Sequence, residues 1–269
     1  MIDWRYKLAA IHLCHNLASI IAVAILLIAF NIVFAYHAVN ASPIAKESKP
    51  LPDYLSTRMA SLDLKIDSPI YIRVFKQENT LEVWKQSAEG TYKPLAFYTI
   101  CKQSGKLGQK RQEGDYQVPE GFYSLTKEQL HPKSNYHLAF NVGYPNLRDR
   151  NNNYTGSLIM VHGNCLSVGC LAMGDDRIEE IYALLREAFK GGAKSIPMHI
   201  FPFKMSDDNL AQFDDHPEMA FWQQLKPAYD LFQNEYIPAR TVTCGKNYVV
   251  TSAENKNAAR TVCAQVKNL

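Results

Sequence analysis

Leu17 to Ala35 (LASIIAVAILLIAFNIVFA) carries no charged residue, and no other stretch constrains the fold as strongly. Its length matches the roughly 20 apolar residues needed to cross a bilayer. Arg5 and Lys7 precede it, and the positive-inside rule keeps that end cytoplasmic and sends the C-terminal body across. The body is therefore expected outside the cytoplasm, in a periplasmic setting. Val39 and Ala41 have signal-peptidase spacing, but the apolar run exceeds the usual core of about 7 to 15 residues in a cleaved signal. Residues 1–41 are thus a signal peptide or an N-terminal membrane anchor, with membrane contact through 17–35 if the segment is kept.

Export makes disulfides permissible. The chain has 6 Cys; with Cys14 in the targeting segment, Cys101, Cys165, Cys170, Cys244 and Cys263 remain in the body. Five is odd, so one should stay free. Cys244 and Cys263 flank a short stretch near the C-terminus and can close a local loop. Cys101 and Cys165 would then be the second pair, leaving Cys170 as the thiol.

Residues 42–67 form a linker and entry segment: Ser42 to Asp53 holds three prolines, and 54–63 suit a short helix. Ile70–Phe75 and Thr80–Trp84 suggest two strands of a hairpin, and Leu95–Cys101 a third. A polar loop, Lys102 to Asp115, leads to a turn at Pro119-Glu120-Gly121. Further strands are expected at His137–Val142, Ser157–Val161 and Met198–Phe203. Helices come late. Asp176–Ala188 opens with a capping-box pattern (Asp176, Glu179) and stops before Gly191-Gly192, while Glu218–Gln233 is interrupted at Pro227. The fold class is mainly β with a few helices (α+β), with a domain over 68–205 and a helical C-terminal extension over 206–269. Composition is that of a globular protein, 47% hydrophobic and 20% charged. The formal charge is +3, with Lys and Arg scattered, so nucleic acid is not an expected partner.

The chemistry concentrates in Val161-His162-Gly163-Asn164-Cys165-Leu166-Ser167-Val168-Gly169-Cys170-Leu171-Ala172-Met173. A thiol attacks as thiolate, and a neighbouring imidazole that takes its proton is the usual partner. His162 is the candidate general base and Cys170 the candidate nucleophile. Backbone N–H groups beside Cys170 can receive the oxyanion of a tetrahedral intermediate. Two blander readings stand beside this one. Cys170 can be a structural thiol, and His162, Cys165 and Cys170 can be three ligands of a zinc site, although no fourth ligand lies nearby.

The motif, together with Ser68-Pro69-Ile70-Tyr71-Ile72, Tyr98-Thr99-Ile100-Cys101-Lys102, Gly114-Asp115-Tyr116, Pro119-Glu120-Gly121-Phe122-Tyr123, Asn141-Val142-Gly143-Tyr144-Pro145-Asn146, Ile200-Phe201-Pro202-Phe203-Lys204-Met205 and Phe221-Trp222-Gln223-Gln224-Leu225-Lys226-Pro227, resembles the YkuD-type catalytic domain of L,D-transpeptidases, in particular its YafK-like branch. The resemblance implies a β-sandwich or open-barrel domain without cofactor or metal. In it Cys170 would attack a peptidoglycan stem peptide at diaminopimelate, forming a thioester that water or an amine resolves. It also implies that Gly169 sits in the oxyanion region and that Ser167 supports the motif.

Two positions depart from the broad family pattern, Val168 and Ala172. The second stands where an Arg that can meet a substrate carboxylate is common. The branch points to hydrolysis that releases a wall-linked lipoprotein, with cross-linking by transpeptidation and a non-catalytic wall-binding domain as alternatives. Lys102, Arg111, Asn141 and Arg148 are the candidate substrate-binding residues, with Lys110 on the same polar stretch.

Overall fold

Every residue of Ile70-Tyr71-Ile72-Arg73-Val74-Phe75 is buried, and these residues form β1 (Ile70–Phe75), the strand on which the body is built. The computed structural model describes residues 22–31, 44–251 and 263. The chain divides into two compact units, 1–45 and 46–269. In the first, residues 22–31 are helical and exposed. The rest of the expected 17–35 span and the cleavage position at Ala41 lie outside the described residues. Among the described residues no helix is long and apolar enough to cross a membrane.

In the second unit β1 pairs antiparallel with β2 (Thr80–Gln86) and parallel with β9 (Ile196–Phe201). With β3 (Tyr92–Thr99) and β4 (Gly121–Leu125) they make a five-stranded sheet in the order β3-β2-β1-β9-β4. A central strand buries both faces, which is why β1 is apolar almost throughout. Ile70, Ile72 and Val74 enter one core, while Tyr71 and Phe75 point the other way, the alternation of a strand.

The first core also takes residues from a four-stranded sheet, β5 (Leu130–His131), β6 (Ala139–Asn141), β7 (Met160–His162) and β8 (Leu171–Ala172), joined in that order. Two helices close it: α1 (Asp53–Ser61) through Leu55 and Met59, and α3 (Asp175–Lys190) through Ile178, Ile181 and Leu185. On the opposite face of the large sheet lies α5 (Met219–Glu235), whose Phe221, Trp222, Leu225 and Tyr229 pack with Phe75, Phe122 and Phe201. Short helices α2 (Leu147–Asn151) and α4 (Asp207–Ala211) and a terminal hairpin, β10 (Arg240–Cys244) with β11 (Asn247–Thr251), complete the described body. The architecture is α+β, mostly sheet.

Several local expectations need correction. No turn forms at Pro119-Glu120-Gly121: Gly121 is already the first residue of β4, which is held by antiparallel pairing with β9. The stretch after residue 205 is not simply helical, since it contains the β10–β11 hairpin, and its α5 runs unbroken through Pro227. The Asp176/Glu179 capping box does not form. Helix α3 starts one residue earlier behind Gly174 (φ +83°), and Glu179 instead binds Lys49 Nζ at 2.7 Å and His137 Nε2 at 2.6 Å. Asp175 Oδ1 accepts from Asn164 N at 2.7 Å. The first turn of α3 thus anchors the loop that follows β7.

Candidate active site

The candidate pair, His162 and Cys170, is positioned by two very short parallel strands. β7 and β8 pair in the register Val161↔Leu171 and His162↔Ala172. Cys170 therefore stands one step before β8, level with Met160, whose N–H donates to the Cys170 Sγ at 3.4 Å. Side chains alternate along a strand, so Met160 and His162 share a face of β7, and the Cys170 Sγ lies against the backbone of Met160, two residues before His162. The Cys170 thiol donates in turn towards Leu158 O at 3.8 Å.

His162 is buried, with its ring 4.8 Å from that of Tyr136. Its Nδ1 lies 2.6 Å from Gly163 O. A carbonyl can only accept, so this contact assigns the proton to Nδ1 and leaves Nε2 with a free lone pair. Burial lowers the His162 pKa, and the Gly163 carbonyl partly opposes that shift. Burial also pushes the Cys170 thiol up, while the Met160 N–H and the charge of Lys110 pull it down more weakly. Both shifts favour the uncharged forms, a thiol and an imidazole that can take its proton.

The intervening loop is tied down at each end. Gly163 admits no side chain, because a Cβ there would stand 2.6 Å from Asp175 Oδ1 and 2.8 Å from Tyr136 O. Cys165 is disulfide-bonded to Cys101, and Cys244 to Cys263. Among the described residues Cys170 is the free cysteine. With Cys165 oxidised, the His162-Cys165-Cys170 zinc reading fails for lack of a thiolate, and no group of three potential ligands occurs among the described residues. Ser167 braces the backbone of Cys170: its Oγ donates to Cys170 O at 2.6 Å and accepts from Cys170 N at 3.1 Å. Gly169, at φ +91°, does not present a free amide, since its N–H donates to Ser104 Oγ at 2.6 Å.

Ser104 belongs to a strap that sequence reasoning treated as plain loop. Residues 101–104 run beside the motif: Cys101 N donates to Ala172 O at 2.8 Å, Lys102 bridges Ala172 antiparallel, and Ser104 meets Gly169. Of the four candidate substrate-binding residues, Lys102 alone lies on this strap, and it is exposed. Arg111 pairs with Glu218 at 2.6 Å, and Asn141 Oδ1 accepts from Gly143 N in a local turn. Arg148 is buried at 3% exposure, donates to Gln109 Oε1, and stacks 4.3 Å from the Phe221 ring, so it serves the interior rather than a ligand. Lys110 is buried too, held by Asp115 and Gln112 O.

The L,D-transpeptidase catalytic domain (YkuD) matches residues 69–196, which include β1 and the whole motif. The chain is also 42% identical to the protein named "Putative L,D-transpeptidase YafK" of Escherichia coli strain K12, over 68% of this chain and 74% of that one. The chain belongs to the YkuD L,D-transpeptidase family. The corresponding protein of Escherichia coli O157:H7 matches to the same extent. Among solved structures, the helical cell shape determining protein Pgp2 of Campylobacter jejuni (K307A mutant) is similar at 20% identity. The match covers 72% of this chain and 66% of that one, just under two thirds, with a TM-score of 0.43. Membership makes the chain an L,D-transpeptidase-family enzyme of the cell wall.

Proposed function

We propose that this family member is an exported, cysteine-dependent amidohydrolase of peptidoglycan that releases wall-linked lipoprotein. Cys170 is the nucleophile and His162 the base. His162 Nε2 takes the thiol proton as Sγ attacks the amide carbonyl at diaminopimelate, and the carbonyl π pair moves onto oxygen. Collapse re-forms the carbonyl and breaks the C–N bond, and the imidazolium returns the proton to the leaving amine. Water, deprotonated by the same imidazole, then cleaves the thioester and regenerates the thiol.

The observation that carries this reading is the pairing of β7 with β8, which sets His162 on one strand and Cys170 immediately before the other, with the motif's other cysteine locked in a disulfide. Water is the acceptor in this reading.

The test is to incubate the full-length protein, and its Cys170→Ala variant, with sacculi carrying covalently attached lipoprotein and to identify released products by mass spectrometry. Release by the native protein alone is expected. New diaminopimelate cross-links or exchanged D-amino acids, without release, would make it a transpeptidase; inactivity in both assays would return it to the binding-domain reading.

A further inference from the structure

The amide of Gly169, next to the nucleophile, is already occupied, and its occupant is a hydroxyl. Ser104 Oγ accepts from Gly169 N at 2.6 Å and donates to Tyr116 O at 2.8 Å. A serine hydroxyl has one proton to give and two lone pairs, so the bond from Gly169 fixes the oxygen but leaves its proton free to be redirected. Its surroundings hold the oxygen still. Lys106 N donates to Gln117 Oε1, Gln117 N donates to Asp115 Oδ1, and the backbone of Tyr116 and Gln117 lies within van der Waals range of a Cβ at Gly169. Segments 104–106, 116–117 and 169 thus meet at one point. Ser104 also borders a cavity of about 450 Å³, with Lys76, Gln103, Lys106 and Phe213 in its lining and no residue of the 161–173 motif.

We infer that Ser104 is a catalytic residue, the side-chain donor to the oxyanion that forms when Cys170 attacks. The inference rests on Cys170 being the nucleophile. As the C–S bond forms and the carbonyl π pair moves to oxygen, the Ser104 O–H turns from Tyr116 O to that oxygen, with no heavy atom displaced. Gly169 N–H, still bound to Oγ, polarises the hydroxyl and makes it a better donor. The Gly169 amide then acts through Ser104 rather than directly, and the cost of reorganisation at the moment of reaction is small.

Two reactions of the same thiol separate this role from a structural one. Acylation by 4-nitrophenyl acetate passes through an oxyanion and releases nitrophenolate in a burst; alkylation by iodoacetamide displaces iodide at carbon and forms none. Full-length native protein, Ser104→Ala, Ser104→Thr and Cys170→Ala are compared in both, with mass spectrometry confirming the modified residue. The expected result for Ser104→Ala is an acylation rate lower by about a hundredfold, the scale of one oxyanion donor, with alkylation of Cys170 unchanged. Ser104→Thr, which keeps the hydroxyl, should stay near native in both.

Equal losses in acylation and alkylation for Ser104→Ala would overturn the inference in favour of loop positioning. Unchanged or faster acylation would overturn it in favour of a hydroxyl that only plugs the Gly169 amide. A burst that survives Cys170→Ala would overturn the nucleophile reading and this inference together. That outcome is distinct from the others because it appears in the Cys170 variant.

Discussion

His199 lies within the five-stranded sheet and His162 at the end of a three-residue strand in the four-stranded one; both are buried, at 2% and 4% exposure, and both lose basicity through burial. Their partners differ. His199 Nδ1 meets the Tyr71 hydroxyl at 2.7 Å, and its ring is enclosed by Tyr71 and Phe122, at 4.9 and 4.6 Å between centroids. Burial, with the charge of Arg73 adding to it, takes its pKa down to about 3. His162 gives Nδ1 to a backbone carbonyl and lies two residues from Met160, whose N–H meets the free thiol of Cys170. Burial alone therefore does not mark a working histidine. What separates the two is the tautomer fixed by a carbonyl and the free thiol nearby.

The largest effect should come from breaking the working member of the pair. His162→Gln is expected to lower Cys170-dependent acylation by about 10²- to 10⁴-fold, the usual contribution of a general base, while the urea midpoint moves little. Stopped-flow acylation beside equilibrium unfolding checks both halves. If activity persists within tenfold, His162 is structural and the comparison collapses.

The two disulfides extend the contrast. Cys101–Cys165 joins the strap to the motif loop across 64 residues, whereas Cys244–Cys263 closes a 19-residue separation beside the terminal hairpin. Chain-entropy reasoning assigns each about 3 to 4 kcal/mol of stability through the unfolded state. Both Cys→Ser double variants should therefore unfold at lower urea. Only Cys101→Ser/Cys165→Ser should also slow acylation, because it frees the loop that presents Cys170. Equal activity in the two variants would mean that Asp175 and Ser104 hold the loop without the disulfide.

A smaller effect, of opposite kind, is expected at His199. His199→Phe leaves the Tyr71 hydroxyl buried without a partner, which costs about 1 to 3 kcal/mol, and acylation of the folded protein should be unchanged. Loss of activity without loss of stability would show that the scaffold histidine communicates with the site.

How much of this was legible in the sequence follows the same division. β1, β2 and α1 are long enough for local pattern to mark them, and the five-residue run Thr80–Trp84 falls inside β2. The His and Cys of the motif were legible because their chemistry lies within nine residues. What was missed is non-local. β4 is a strand because β9, some 75 residues later, pairs with it, and the Pro-Glu-Gly turn signal conceals that. β5 and β8 span only two residues, too few to establish a period, and β7 overlaps only the end of the strand expected at 157–161. Arg148 looks like a surface cation in a polar loop, and only the rings of Phe221 and Tyr248 from distant elements bury it. Ser104 carried no local signal, since its partner is 65 residues away. The β10–β11 hairpin had one, in Cys244-Gly245-Lys246-Asn247, where Gly245 supplies the positive φ that a two-residue hairpin turn demands.

The finest test concerns the charge state of the resting pair. Burial raises the Cys170 pKa and lowers that of His162, so the two values move apart in the direction that disfavours a thiolate–imidazolium pair. An ion-paired site has the reverse order, with a thiolate present from acid pH upward. Iodoacetamide alkylation of Cys170, followed from pH 4 to 11, should therefore show a single rise with its inflection above the ordinary thiol value of about 8.5. Acylation, which uses His162 as base, should instead gain rate as His162 loses its proton, at a pH below the ordinary histidine value of about 6.5. A plateau of alkylation between pH 5 and 8 would mean that the thiolate is already formed at rest. His162 would then carry charge beside Cys170, and it would differ from His199 in protonation state as well as in partners.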